Sequence, residues 1–276
     1  ILGVGMKAAI VPLHGWLPAA MAAPAPVSAL LHAVAVVKAG AFGAIRVVHD
    51  VFGMERVGAL GLDLALAALA SVTILWGSVR ALGQDEIKKR LAYSTVSQVS
   101  YILLGISLTG PFAVIGGLAH LIHQGLMKIT LFFCAGIYDE RAGVKRIEGL
   151  DGLGPRMPWT STCFSLGALG MIGLPPMAGF VSKVYLGLGA LQGGAPWVLG
   201  VLAASTLLNA AYFLPLLYRL WFRDPRPDAQ GNERAPALVV PAVVAALGAL
   251  GVGALAAAPV SPLAWATLLA ERTWLP

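Results

Sequence analysis

The sequence predicts an all-α, polytopic membrane helix bundle of about eight transmembrane spans, some of them broken, and three observations lead there. The 276 residues are 58% hydrophobic and only 12% charged, where a soluble domain carries about 25% charged residues. Apolar stretches long enough to cross a bilayer, about 20 residues each, recur along the whole chain. The Lys and Arg residues between them collect on alternate connections, as the positive-inside bias requires. With 33 Gly and 18 Pro and no alternation of apolar and polar residues about ten long, the pattern is that of helices and not of an outer-membrane barrel.

The spans fall at roughly 1–17, 26–48, 57–83, 91–109, 111–137, 159–192, 196–222 and 236–258. The first is expected to be incomplete. The sixth is too long for one straight helix and contains Leu174-Pro175-Pro176 followed by Gly179. It should break in mid-membrane and resume as a second half-helix. With this count one side of the membrane receives Arg80, Lys88, Lys89, Arg90, Arg141, Lys145, Arg146, Arg156, Arg219, Arg223, Arg226 and Arg234, and the other only Arg46 and Arg56. The loops near 84–90, 138–158 and 223–235 are therefore expected on the cytoplasmic face of the cell's inner (plasma) membrane, with both chain ends outside. Residues 259–276, with Trp265, Trp274 and Glu271-Arg272, read as an interfacial tail.

The N-terminus has neither a charged n-region nor a small-residue cleavage site, so it does not read as a signal peptide. No initiator Met stands at position 1, and the chain is expected to belong to something longer. The formal charge of +6 comes without a basic tract interleaved with aromatics, which argues against a nucleic-acid partner. Cys134 and Cys163 lie in apolar stretches without metal-ligand spacing and read as small core residues. Neither a Cys cluster, nor a phosphate-binding Gly-rich loop, nor paired intramembrane carboxylates occur in the sequence. No catalytic residue, metal or cofactor is expected, and the chain should not itself carry out redox chemistry.

Lys7, His32, Lys38, Asp63, His120, His123, Lys128 and Lys183 lie within the spans although each charge at bilayer depth costs about 2.5–3.5 kcal/mol. Such lysines need partners, water or a lowered pKa, and a buried lysine can titrate within reach of physiological pH. In the fifth span His120, Gln124 and Lys128 stand at i, i+4 and i+8, one face over roughly 12 Å of rise, with His123 on its flank. Neutral imidazole both donates and accepts, so such a row can hand protons along. His32 and Lys38 are about 120° apart on their helix and need not touch. Lys38 is too deep to reach the interface and is expected to face a bundle-interior cavity.

Lys183 follows the Pro175-Pro176 break, where unwound backbone and a half-helix end line a wet cavity at the membrane centre. Lys7 shares that logic through Pro12 and Pro18. Ser94, Ser97, Gln98 and Tyr101 form a polar seam at i, i+3, i+4 and i+7 facing the bundle, which helix–helix hydrogen bonding explains as well as a water path does. Asp63 and His14 read as interfacial.

The motifs Met6-Lys7-Ala8-Ala9-Ile10-Val11-Pro12-Leu13, Trp16-Leu17-Pro18-Ala19-Ala20-Met21 and Pro26-Val27-Ser28-Ala29-Leu30-Leu31-His32 resemble the antiporter-type membrane subunits of respiratory complex I, Mrp-type Na⁺/H⁺ antiporters and membrane-bound hydrogenases. The resemblance continues through Leu91-Ala92-Tyr93-Ser94-Thr95-Val96-Ser97-Gln98, His120 to Lys128, and Gly179-Phe180-Val181-Ser182-Lys183. The run from Lys128 to Gly136 is similar to the D-like branch of the Mrp antiporter proteins. The resemblance implies two inverted five-helix repeats, each with a broken helix and a central lysine. Residues 1–56 would then be the last two helices of the first repeat, 57–222 the second repeat, and 223–276 an additional C-terminal helix and tail. Lys7 matches the first repeat's broken-helix lysine, His32 the connecting histidine, Lys128 the second central lysine, and Lys183 the terminal lysine that exchanges protons with the outer side.

Two departures from the family pattern stand out. Gln124 occupies a position where the family usually has a second His, and the family's first six helices, with a glutamate that pairs with the first lysine, have no counterpart here. A companion fragment or a preceding segment is expected to supply that carboxylate. The expected function is proton translocation, with or without Na⁺ exchange, beside other membrane subunits in the lipid bilayer. Two rivals are a non-conducting scaffold, with dry lysines tied to carbonyls or fixed acids, and an unrelated solute carrier with a roomy pocket near Pro175 and Pro176.

Overall fold

The computed structural model describes residues 2–225, 231–233 and 235–274; Arg226 and Arg234, counted above among the loop cations, lie outside them. The described residues are helical throughout, with a single isolated bridge, between Glu86 and Arg146, in place of any sheet. Five helices are long and apolar enough to cross a membrane by length and composition: Ala25–Phe52, Leu62–Leu82, Pro111–Ala142, Trp197–Phe222 and Pro236–Ala254.

The expected span at 1–17 is not one helix. α1 (Leu2–Lys7) stops after six residues, and α2 (Trp16–Ala19) begins only beyond a turn. Ala9 adopts a left-handed φ of 56° in that turn, and Pro12 can donate no amide hydrogen to continue a helix. The next stretch runs as α3 (Ala25–Ala29), a π-helical turn at Leu30–Val34, α4 (Val36–Arg46), and a second wide turn at Val47–Phe52. Pro24 and Pro26 open it, as suits a residue without an N–H at a helix start. His32 therefore sits in the π-turn, a local widening that recurs at functional positions in helices.

α5 (Met54–Ala59) is a short connector to α6 (Leu62–Leu82), which packs along α7 (Ile87–Ser107). α8 (Pro111–Ala142) is the central column and touches α3, α7, α10 and the three helices that follow or flank them, α9, α12 and α13. The expected break in the sixth stretch is present: α9 (Pro158–Ile172) and α10 (Ala178–Gln192) are half-helices separated by Gly173–Met177. α11 (Trp197–Phe222) and α12 (Pro236–Ala254) close the bundle. The segment read as a tail is itself helical over α13 (Pro262–Trp274), and its Leu263, Ala266 and Ala270 bury against Val114, Ile115 and Ala119 of α8.

The three basic connections share one end of the bundle. The Ile87 amide donates to Lys145 O at 3.0 Å and the Ile147 amide to Asp85 O at 2.9 Å, joining the first two. The Gly152 amide donates to Arg219 O, and Arg219 pairs with Asp151 at 2.9 Å, joining the second to the end of α11. At the opposite end Asp63, Thr109 and Gly194 line one shallow cleft. Arg90 departs from the sequence expectation of a loop cation. It is buried, and its guanidinium donates to Leu82 O, Gln84 O and Tyr212 O, stitching the α6–α7 turn to α11.

Both cysteines are core residues, buried among the aliphatic side chains of α8, α9 and α12.

Candidate functional site

α8 places Lys128 in the middle of the bundle, and α7 faces it with the seam expected from sequence. Ser94, Ser97, Gln98 and Tyr101 are all fully buried. The Lys128 ammonium donates to Leu91 O at 3.0 Å and makes a close hydrogen bond to the Ser94 hydroxyl. The Leu91 carbonyl also accepts the Ser94 hydroxyl at 2.8 Å, so two groups of one helical turn, bonded to each other, hold the ammonium in place. Ser97 instead pairs with Ser78 of α6 at 2.9 Å, so this member of the seam serves helix–helix contact.

One turn earlier on α8, Gln124 and His123 are fully buried; the His123 ring meets only the backbone of Ala178, and neither amide atom of Gln124 meets a hydrogen-bond partner in the protein. The same lack of a partner holds for Gln98 across from them and for His32, whose ring stacks on Phe132 with centroids 4.6 Å apart. His32 lies within electrostatic reach of Lys128. Lys38, two turns beyond His32, is buried as expected and its ammonium bonds closely to Leu121 O on α8.

His120 is the junction. Its Nδ1 pairs with the Ser182 hydroxyl at 2.8 Å, its ring lies 5.2 Å from that of Tyr101, and it sits within electrostatic reach of Lys38, His123 and Lys183. Lys183, one residue past Ser182 on α10, turns back across the break: its ammonium donates to Ile172 O at 2.7 Å and to Thr206 Oγ1 at 3.2 Å, and lies 5.5 Å from the Tyr101 ring centre. A cation over an aromatic face is attracted by the ring quadrupole.

The break is tightly covered. A Cβ on Gly253 of α12 would lie 2.4 Å from Pro176 O and from the Ala178 amide nitrogen. α12 thus packs directly on the unwound segment. A cleft of about 480 Å³ lies elsewhere, near the basic loops, lined by Pro24, Lys88, Phe133 and Pro241.

The structure thus gathers His32, Lys38, His120, His123, Gln124, Lys128 and Lys183 with Ser94, Gln98 and Tyr101. It does not gather Lys7. That side chain is exposed at the end of α1, contrary to the expectation of a buried lysine, because the helix ends at this residue. Asp63 is half-buried at its end of the bundle, and His14 accepts a hydrogen bond from Trp76 at 3.3 Å near a surface, as interfacial residues would. Sequence reasoning missed Ser182, Thr206, Asn209 and Tyr212. The available signal was the spacing of Ser205, Asn209 and Tyr212 on one face of an otherwise apolar α11.

Comparison with known proteins shows the family of the chain. Residues 1–209 match the family model described as NADH:quinone oxidoreductase/Mrp antiporter, transmembrane. An NADH-quinone oxidoreductase subunit N of Desulforudis audaxviator is 37% identical over 268 residues, covering 92% of this chain and 53% of that protein. A Na⁺/H⁺ antiporter subunit of Alkalihalophilus pseudofirmus is 40% identical over 197 residues, 66% of this chain and 24% of that protein. Among solved structures, a chain of an archaeal membrane-bound sulfane sulfur reductase is similar with a TM-score of 0.86 and 28% identity, over 98% of this chain and 54% of that one. A chain of the Mrp complex from Dietzia has the same TM-score at 24% identity, a likeness of fold. The chain spans about half the length of the first relatives it matches. It belongs to the NADH:quinone oxidoreductase/Mrp antiporter transmembrane family.

Proposed function

We propose that this chain moves protons across the membrane as a subunit, or part of one, of a cation/proton antiporter or a complex I-like assembly. The observation that carries the reading is the row Lys38, His120, Lys183 with its branch through His32 to Lys128. Three ammonium groups sit on carbonyls inside the bundle, while the imidazoles and amides between them keep unpartnered polar atoms. Buried polar atoms without a partner cost about 1–3 kcal/mol each, so these positions call for water, and water beside neutral imidazole is a proton-transfer medium.

None of the three lysines enters the ion pairs found among the described residues, which involve Arg46, Lys89, Lys145, Arg146, Arg219 and Arg223. A lysine without a fixed carboxylate can give up its proton without stranding an opposite charge. The carbonyl contacts alone would suit a non-conducting scaffold. The unpartnered histidines and glutamines would not, because structural networks leave few buried polar atoms unpaired. A membrane potential of 100 mV is worth about 2.3 kcal/mol per charge, equivalent to less than two pKa units, so modest coupling between neighbouring lysines suffices to drive transfer.

In this reading α1–α2, α7 and the α9–α10 pair complete eight crossings. Residues 1–56 end a first repeat, 57–222 form the second, and the basic end faces the cytoplasm. The exposed Lys7 is the point at which a neighbouring segment or partner protein supplies a carboxylate. The test is proton flux through the complete assembly in proteoliposomes with Lys38→Ala or Lys183→Ala. Both are expected to lose flux with the assembly intact; wild-type flux in both would end the proposal.

A further inference from the structure

A second polar connection between Lys128 and Lys183 runs over α11, outside the row on α8. Ser205, Asn209 and Tyr212 stand at i, i+4 and i+7 and are fully buried. Asn209 Nδ2 donates at 3.2 Å to Met171 O, a carbonyl that the Lys183 ammonium also approaches, at 3.4 Å. Asn209 Oδ1 accepts the Tyr212 hydroxyl at 2.5 Å. The Tyr212 hydroxyl in turn interacts with Ser94, which receives the Lys128 ammonium. Arg90 fixes this turn of α11 by donating to Tyr212 O at 3.0 Å.

Each group in the series has few choices. The Asn209 amide is directional: its NH₂ end faces Met171 O, which leaves its oxygen for Tyr212. Tyr212 has one proton, spent on Asn209, so toward Ser94 it can only accept. Ser94 also has one proton, and three groups compete for it: Leu91 O, the Tyr212 oxygen, and the amine of a Lys128 that has lost its charge. When Lys183 deprotonates, Met171 O loses a cationic donor and becomes a stronger acceptor for Asn209, which tightens the series toward Ser94. An amide does not pass protons on, so the series transmits polarity and not the proton itself.

We infer that Asn209 and Tyr212 are positioning residues that couple the charge state of Lys183 to the hydrogen bonding of Ser94 around Lys128. The inference rests on the transport reading for its purpose, and its test can fail separately. In the purified complete complex, the tyrosine C–O infrared band that vanishes in Tyr212→Phe belongs to Tyr212. That band is expected to shift in Asn209→Leu and in Lys183→Ala, and Tyr212→Phe is expected to lower proton flux about fivefold, the scale of one lost hydrogen bond. Tyr212→Phe changes neither shape nor charge, so it keeps the test open should Asn209→Leu fail to assemble. A band unmoved by Lys183→Ala overturns the coupling, as does unchanged flux in Tyr212→Phe where Lys183→Ala has abolished it. A band that shifts while Lys128→Ala and Lys183→Ala both conduct normally supports the coupling and sinks the transport reading.

Discussion

The Lys183 ammonium lies 2.7 Å from the Ile172 carbonyl across the Gly173–Met177 break. That carbonyl ends half-helix α9, where the negative end of the helix dipole collects. The cation of one half-helix is therefore held by the C-terminus of the other.

Gly173 makes this contact possible. Its φ is 91°, and a Cβ there would lie 2.9 Å from Lys183 Cδ. Gly173→Ala is expected to cost about 1–2 kcal/mol in backbone strain and to push the Lys183 side chain off its carbonyls. Thermal unfolding and proton flux of the assembly should both fall. A variant with unchanged flux would show that the contact of Lys183 with the end of α9 is unimportant.

Ser182 is the hydrogen-bond partner of His120 Nδ1, so it fixes which way the imidazole faces. Ser182→Ala frees the ring at the junction of the row. Flux is expected to drop about two- to tenfold, the range of one hydrogen bond, with little change in stability. A fall in stability without a fall in flux would assign Ser182 to packing alone.

Arg90 donates to three carbonyls, two in the α6–α7 turn and one on α11. Arg90→Met removes those donors and leaves the buried Tyr212 carbonyl without this partner, which is expected to cost about 1–3 kcal/mol. The complex should unfold at lower temperature and lose its α11 protection in hydrogen exchange. A melting temperature equal to wild type would mean that the α6–α7 turn does not depend on this side chain.

Much of this was legible in the sequence for specific reasons. Pro175 and Pro176 cannot continue a helix, so the break between α9 and α10 follows from local chemistry. The i, i+4, i+8 spacing of His120, Gln124 and Lys128 places them on one face whatever the helix packs against. The Ser94 stripe was visible for the same reason, although only the structure separates Ser94, which holds Lys128, from Ser97, which ties α7 to α6. Asn209 was marked in the sequence only by its spacing with Ser205 and Tyr212, and Thr206 by nothing, because an uncharged polar residue in an apolar helix gains its role from a partner far along the chain. The exposure of Lys7 was hidden too: periodicity reports that a residue lies in a span, not which neighbours cover it.

The central claim is that Lys128 gives up and regains a proton as part of transport. The direct measurement is potential-driven proton uptake by proteoliposomes holding the complete assembly, with Lys128→Ala and Lys128→Arg compared with wild type and the content of every component checked in each. Alanine removes the proton carrier, and arginine keeps a charge it cannot release. Uptake at the level of empty liposomes in both variants is the predicted result. Uptake near wild type in either, from an intact assembly, would contradict the account.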